Sequence, residues 1–304
     1  MRPTPATVRR LALASVVANS VIVVTGGGVR LTASGLGCPT WPRCTASSYT
    51  PTPEDAVHGV IEFGNRLLTF ALTAVVVALL VAVLRSRPRR PDLVQLAVLG
   101  FLGIPAQALL GGVTVLTGLN PWTVMGHFLL SMVLVGLATV LWVRSGEGDG
   151  PVRGLAPLPL RRLAWALVGV VGVALGLGTV VTGSGPHSGD PAAGRTGFDP
   201  ALVSQLHADV VLLLVGLTVA LWVALRAVGA PSRAVAVLLA VELAQGLVGY
   251  VQYFTDLPEV LVALHMAGAC VTVVAVVRAA LSLRERAGVV VPAQESRALS
   301  AQPA

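Results

Sequence analysis

Long apolar runs alternate with short polar gaps along nearly the whole chain. A bilayer's hydrocarbon core, about 30 Å thick, needs roughly 20 consecutive apolar helical residues to cross it. Eight segments meet that length: 9–25, 56–84, 93–117, 121–143, 161–182, 201–225, 233–255 and 259–282. They predict eight transmembrane helices. The first has Arg2, Arg9 and Arg10 at its start and superficially resembles a secretory signal. No small-x-small cleavage site leads into a polar mature segment, so it reads as a retained membrane helix.

Composition agrees with this pattern. Of 304 residues, 55% are hydrophobic and 12% charged, against about 25% charged in a soluble domain. Such a chain cannot cover a water-facing surface, and the fold class is an all-α integral membrane protein. The net charge of +7 does not indicate nucleic acid, because the arginines neither interleave with aromatics nor gather on one polar helix. They fall in the gaps at 85–90, 144–162 and 226–233 and in the tail after Arg278, whereas the other gaps hold only Arg30, Arg43 and Arg195. The positive-inside rule then predicts cytoplasmic termini, with the loops at 26–55 and 183–200 outside. The Ala-, Val-, Pro- and Ser-rich tail 287–304 is expected to be disordered.

The chain also repeats. "QALLGGVTVLTGL" at 107–119 aligns with "QGLVGYVQYFTDL" at 245–257, so that Gln107 meets Gln245 and Gly111 meets Gly249; the same shift carries His127 onto His265. "VVTGGG" at 23–28 and "VVTGSG" at 180–185 close the first span of each half. Halves with an even number of spans share one orientation and are related by an axis along the membrane normal. The expected architecture is two pseudo-symmetric four-helix bundles, 1–145 and 161–286, joined by a cytoplasmic linker at 146–160.

Candidate chemistry lies in the spans. His127, His207 and His265 each follow a helix-starting proline (Pro121, Pro200, Pro258) by six or seven residues, which puts all three about 10 Å into helices entering from the same face. Two imidazoles ligate one iron from opposite sides only at a common level, so His207 and His265 are candidate axial ligands of a haem in the second bundle. The alternative is a hydrogen bond to a neighbouring helix. His187 lies in a polar loop. In span two, His58, Glu62, Asn65 and Thr69 advance by helical steps onto one face, a polar stripe that must turn inward. Arg66, four residues after Glu62, is placed for an intrahelical ion pair.

"GGGVRLTASGLGCPTWPRC", "IEFGNRLLTF", "QALLGGVTVLTG", "MGHFLLSM" and "QGLVGY" with "LHMAG" together resemble the haem A synthase family, from the first span to the last. The resemblance implies two bundles of common descent in a bacterial cell membrane, and oxidation of a ring methyl of haem O to a formyl group. The product, haem A, serves terminal oxidases. It implies haem b on His207 and His265, and haem O in the first bundle near Glu62, the expected catalytic carboxylate, with His127 at its iron. Implied partners are the lipid bilayer, haem O, the haem O synthase that supplies it and an electron acceptor; a homo-oligomer is compatible.

Many members read Glu-x-x-His-Arg where this chain has "EFGNR", with Asn65 at the histidine. A neutral amide is a poor iron ligand. Either His127 alone holds the substrate iron, or His58, about 10 Å shallower on the stripe, takes part. Cys38 and Cys44, in the outer loop, are expected to form a disulfide, as the family's matching pair supports, either to brace the loop or to respond to redox state. Two thiolates are too few for zinc, and Cys270 is expected to be a small packing residue. Rival readings are a diheme b-type electron carrier or quinol-linked oxidoreductase, which leaves Glu62 without a task, and a transporter with parallel repeats.

Overall fold

The chain is described by a computed structural model that covers residues 3–53 and 56–286. The expected tail lies outside the described residues. Eight helices, each long and apolar enough to cross a membrane, make this a multi-pass membrane protein. They are α1 (Pro5–Leu31), α2 (Ala56–Arg85), α3 (Pro91–Leu116), α4 (Pro121–Ser145), α5 (Leu158–Ser184), α6 (Pro200–Ala227), α7 (Arg233–Phe254) and α8 (Glu259–Leu281). A three-residue strand, β1 (Val152–Gly154), precedes α5, and another, β2 (Arg284–Arg286), follows α8.

Local sequence sets the helix starts. Proline occupies the first turn of α1, α3, α4 and α6, where its missing N–H has no intrahelical acceptor to lose. Thr4, Asn120 and Asp199 accept hydrogen bonds from the first-turn amides of α1, α4 and α6. α1 continues six residues past its expected end, through Gly26–Gly28. Tertiary packing explains this, because a side chain at Gly27 would overlap the thioether of Met266 on α8. The glycine lets the two backbones close up, and packing outweighs its low helix propensity.

α1 packs on α2 and α4, and α3 fills the other side of both. In the second half, α5 packs on α6 and α8, and α7 on the same two. The halves meet where α1 and α4 lie against α8, and α4 against α5. The main core therefore mixes Val23 and Val135 from the first half with Leu167, Leu221, Leu238 and Val276 from the second. Large apolar side chains such as Phe70, Leu109, Leu213 and Val223 point outward, as a lipid-facing surface requires.

The loops sort onto two ends. At one, Arg30 at the end of α1 donates to His187 O (2.5 Å) and Thr182 O (3.2 Å), and Gly35 N–H to Gly189 O (3.0 Å). The loops expected outside thus dock on each other. At the other end β1 and β2 pair antiparallel, Val152 opposite Arg286. Arg284 reaches Glu147 (3.1 Å), and Arg90 reaches Asp92 (3.2 Å) and Asp149 (3.5 Å). The gaps at 85–90 and 144–162 and the segment after α8 thus lie together, clasped by the few acids among them. The sequence indicated only a linker at 146–160; a strand of three residues is too short to register as periodicity.

Candidate functional site

α6 and α8 begin where the prolines indicated, and their histidines converge. The ring centroids of His207 and His265 lie 6.4 Å apart with planes at 76°. An imidazole nitrogen binds a transition metal at about 2.0–2.1 Å and lies about 1.2 Å from its ring centre, so two rings clasping one ion have centroids about 6–6.5 Å apart. The observed separation fits a single iron between them. His207 Nδ1 pairs with Ala174 O on α5 (3.0 Å), which leaves Nε2 free as a ligand, the usual arrangement behind a metal-binding imidazole. His265 Nδ1 is buried with no hydrogen-bond partner, unlike a histidine retained to tie helices together.

Small residues make room for both rings. A methyl added at Gly178 or Gly249 would lie 3.3 Å from Cε1 of His207 or His265. The carbonyl of His265 is held from α7 by the Gln245 amide (2.8 Å). The first half repeats this ledge. Gln107 on α3 donates to His127 O (3.1 Å) and to Ser131 Oγ, and a methyl at Gly111 would lie 3.0 Å from His127 Cε1. His127 Nδ1 is likewise buried without a partner. The repeat in the sequence is thus a repeat of contacts.

The α2 stripe turns toward α1 and the outer loop. His58, largely exposed, pairs through Nδ1 with Ser34 Oγ (2.9 Å). Asn65 Oδ1 accepts from Thr25 of α1 (2.8 Å). Glu62, 6% exposed, takes both Nη2 (2.5 Å) and Nε (3.1 Å) of Arg66 on Oε1, while Oε2 accepts the Cys38 N–H (2.7 Å). Arg66 also donates to the carbonyls of Cys38 (3.0 Å), Thr40 (3.2 Å) and Arg43 (3.3 Å). Cys38 and Cys44 are disulfide-bonded and fully buried. The ion pair therefore anchors the cysteine loop to the helix carrying the stripe. Trp41 of the same loop rests on Gly112, next to the glycine beneath His127. Among the described residues no hydrogen bond joins the His127 ring to the stripe.

Residues 9–187, more than half of the chain, match the family described as cytochrome oxidase assembly protein. The chain belongs to that family. Proteins named heme A synthase are similar to it. The one from Geobacillus kaustophilus is 27% identical over 121 residues, 40% of this chain and 37% of the relative. That from Shewanella oneidensis is 29% identical over 171 residues, 50% and 51%, and that from Symbiobacterium thermophilum 30% over 142 residues, 46% and 45%. The chain spans about half the length, or less, of these curated relatives.

Within this family member, several interactions escaped the sequence reading. Gln107 and Gln245 were visible as a repeated pair, but their acceptors were not. Ser34 and Thr25 gave no signal. Glu242 did give one, a lone carboxyl group inside an apolar run, as in "LLAVELAQ". It is 2% exposed, accepts from Thr218 Oγ1 (3.0 Å) and leaves Oε2 without a partner.

Proposed function

We propose that this protein is a haem A synthase, an oxidoreductase that converts a ring methyl of haem O to a formyl group. The observation that carries the proposal is the His207–His265 pair at iron-clasping separation, in a chain of this assembly family. The helix contacts support a division into bundles at 1–145 and 161–286 with a linker at 146–160, and the arginine distribution supports cytoplasmic termini. The second bundle holds haem b on His207 and His265. That haem, when bound, supplies a one-electron relay between the substrate site and an acceptor.

The first bundle receives haem O, with His127 as its iron ligand. The carbonyl-held backbone and the Gly111 recess fix the depth and swing of that ring. Asn65 serves as a polar wall tied to Thr25, and His58, exposed at the mouth beside Ser34, is the second candidate for the substrate iron. Glu62 accepts a proton from the reacting methyl or steadies positive charge there. An ionised carboxylate offers about four lone-pair sites; Arg66 and Cys38 use three, and one on Oε2 remains for that task. Arg66 and the disulfide keep the carboxylate and loop in register.

The deciding experiment is coexpression with a haem O source, followed by mass analysis of pigment extracted from the purified protein. Haem A forms with the wild type and is lost with Glu62→Gln. Pigment containing haem but never haem A would favour the diheme carrier, and a colourless protein would sink both.

A further inference from the structure

Glu242 lies nine residues after the start of α7, within the membrane span. Its carboxyl group is buried against Thr218 of α6, and Oε2 has no partner. It is three residues, about 4.5 Å of helix rise, from Gln245, whose amide holds His265 O. The Glu242 backbone therefore lies one turn from the ledge that fixes the haem-ligand helix, while its carboxyl group meets Thr218, eleven residues or about 16 Å of rise past His207 on α6. α7 packs on α6 and α8. Those helices carry His207, Asp209, Arg226, Glu259, His265, Cys270 and Arg278, and α7 adds Arg233, Tyr250 and Tyr253. Among the described residues none of these forms an ion pair or hydrogen bond with Glu242. A buried acid with no counter-cation is costly to retain in a span unless it has a task.

We propose that Glu242 is a proton-loading site coupled to the iron held by His207 and His265. This rests on the haem reading above. Adding one electron to a centre in a low-dielectric bundle adds uncompensated negative charge, whose field is poorly screened there. Glu242 offsets it: the carboxylate binds one proton from water as the iron goes from ferric to ferrous, and the acid releases it when the iron is reoxidised. The electron comes from the methyl under oxidation, or from dithionite in a titration. Only an O–H bond forms and breaks, and the bundle's net charge is unchanged across the step. Thr218 orients the carboxyl group toward the bundle core.

The test is a spectroelectrochemical titration of the purified haem-loaded protein at a series of pH values. In the wild type the midpoint potential falls as pH rises through the titration of Glu242, with a slope below the one-electron limit of 59 mV per tenfold change in proton concentration. Glu242→Asp keeps the slope and Glu242→Gln abolishes it, with the Soret band of the bis-histidine haem unchanged in both. A flat wild type, or an undiminished slope in Glu242→Gln, overturns the proposal while leaving the haem assignment standing. A colourless protein overturns both. Should Glu242→Gln not fold, the wild-type reduced-minus-oxidised infrared spectrum decides, because a protonated-carboxyl C=O band sensitive to D2O must appear on reduction and shift in Glu242→Asp. Absence of that band refutes the assignment.

Discussion

Arg66→Met is the sharpest probe of how the cysteine loop is held. The substitution keeps an apolar stem of similar length but removes the hydrogen bonds that Arg66 gives to Cys38 O, Thr40 O and Arg43 O, and leaves Glu62 buried without its counter-charge. Removing one partner of a buried ion pair costs about 3–5 kcal/mol. The Arg66 side chain is 23% exposed, so the low end of that range applies. The helix itself makes few contacts through this guanidinium, and the cost falls on the loop as local opening rather than global unfolding. At 1.4 kcal/mol per tenfold, about 3 kcal/mol raises the open population about 100-fold. Cys38 and Cys44 are both 0% exposed, so a reductant reaches the disulfide through the open form, and the reduction rate follows that population. Reduction by a phosphine in detergent, read by thiol labelling and mass, should therefore be about 100-fold faster in Arg66→Met. Adding Glu62→Gln removes the uncompensated charge and should recover part of the protection. Equal reduction rates in Arg66→Met and wild type would refute the anchoring role.

Further outcomes follow from the same geometry. His207→Ala and His265→Ala should each abolish the C-terminal haem, seen as loss of low-spin haem absorbance at matched protein yield. Gly249→Ala places a methyl 3.3 Å from the His265 ring, and haem occupancy should fall without loss of helix content by circular dichroism. Gly27→Leu overpacks the α1–α8 contact and should cost about 1–3 kcal/mol; Met266→Ala should restore part of it in the double variant, measured by thermal denaturation in detergent. Glu147→Ala removes the acceptor of Arg284 and weakens that of Arg286, a loss of about 1 kcal/mol that lowers Tm by roughly 2 °C and fades at high salt.

Hydrophobic length is a local property, and so the eight spans, the prolines that start several of them and the repeated Gln-to-His spacing were legible in the chain. The common depth of His207 and His265 was legible for the same reason, because rise per residue is fixed once a helix start is known. Which way each side chain turned, and what it met, was not. The i,i+4 spacing of Glu62 and Arg66 announced their ion pair, but only the fold shows Glu62 also holding the Cys38 amide. Asn65 looked like a missing ligand, and the structure gives it Thr25. The α1 extension through its glycines needed Met266, and the β1–β2 pair needed a partner 130 residues away, Gly154 opposite Arg284. Spacing along one helix fixes height and relative angle within it, whereas contacts between helices depend on the rotation and register of each against its neighbours. Those are set by the packing of all eight together, and that is decided only in three dimensions.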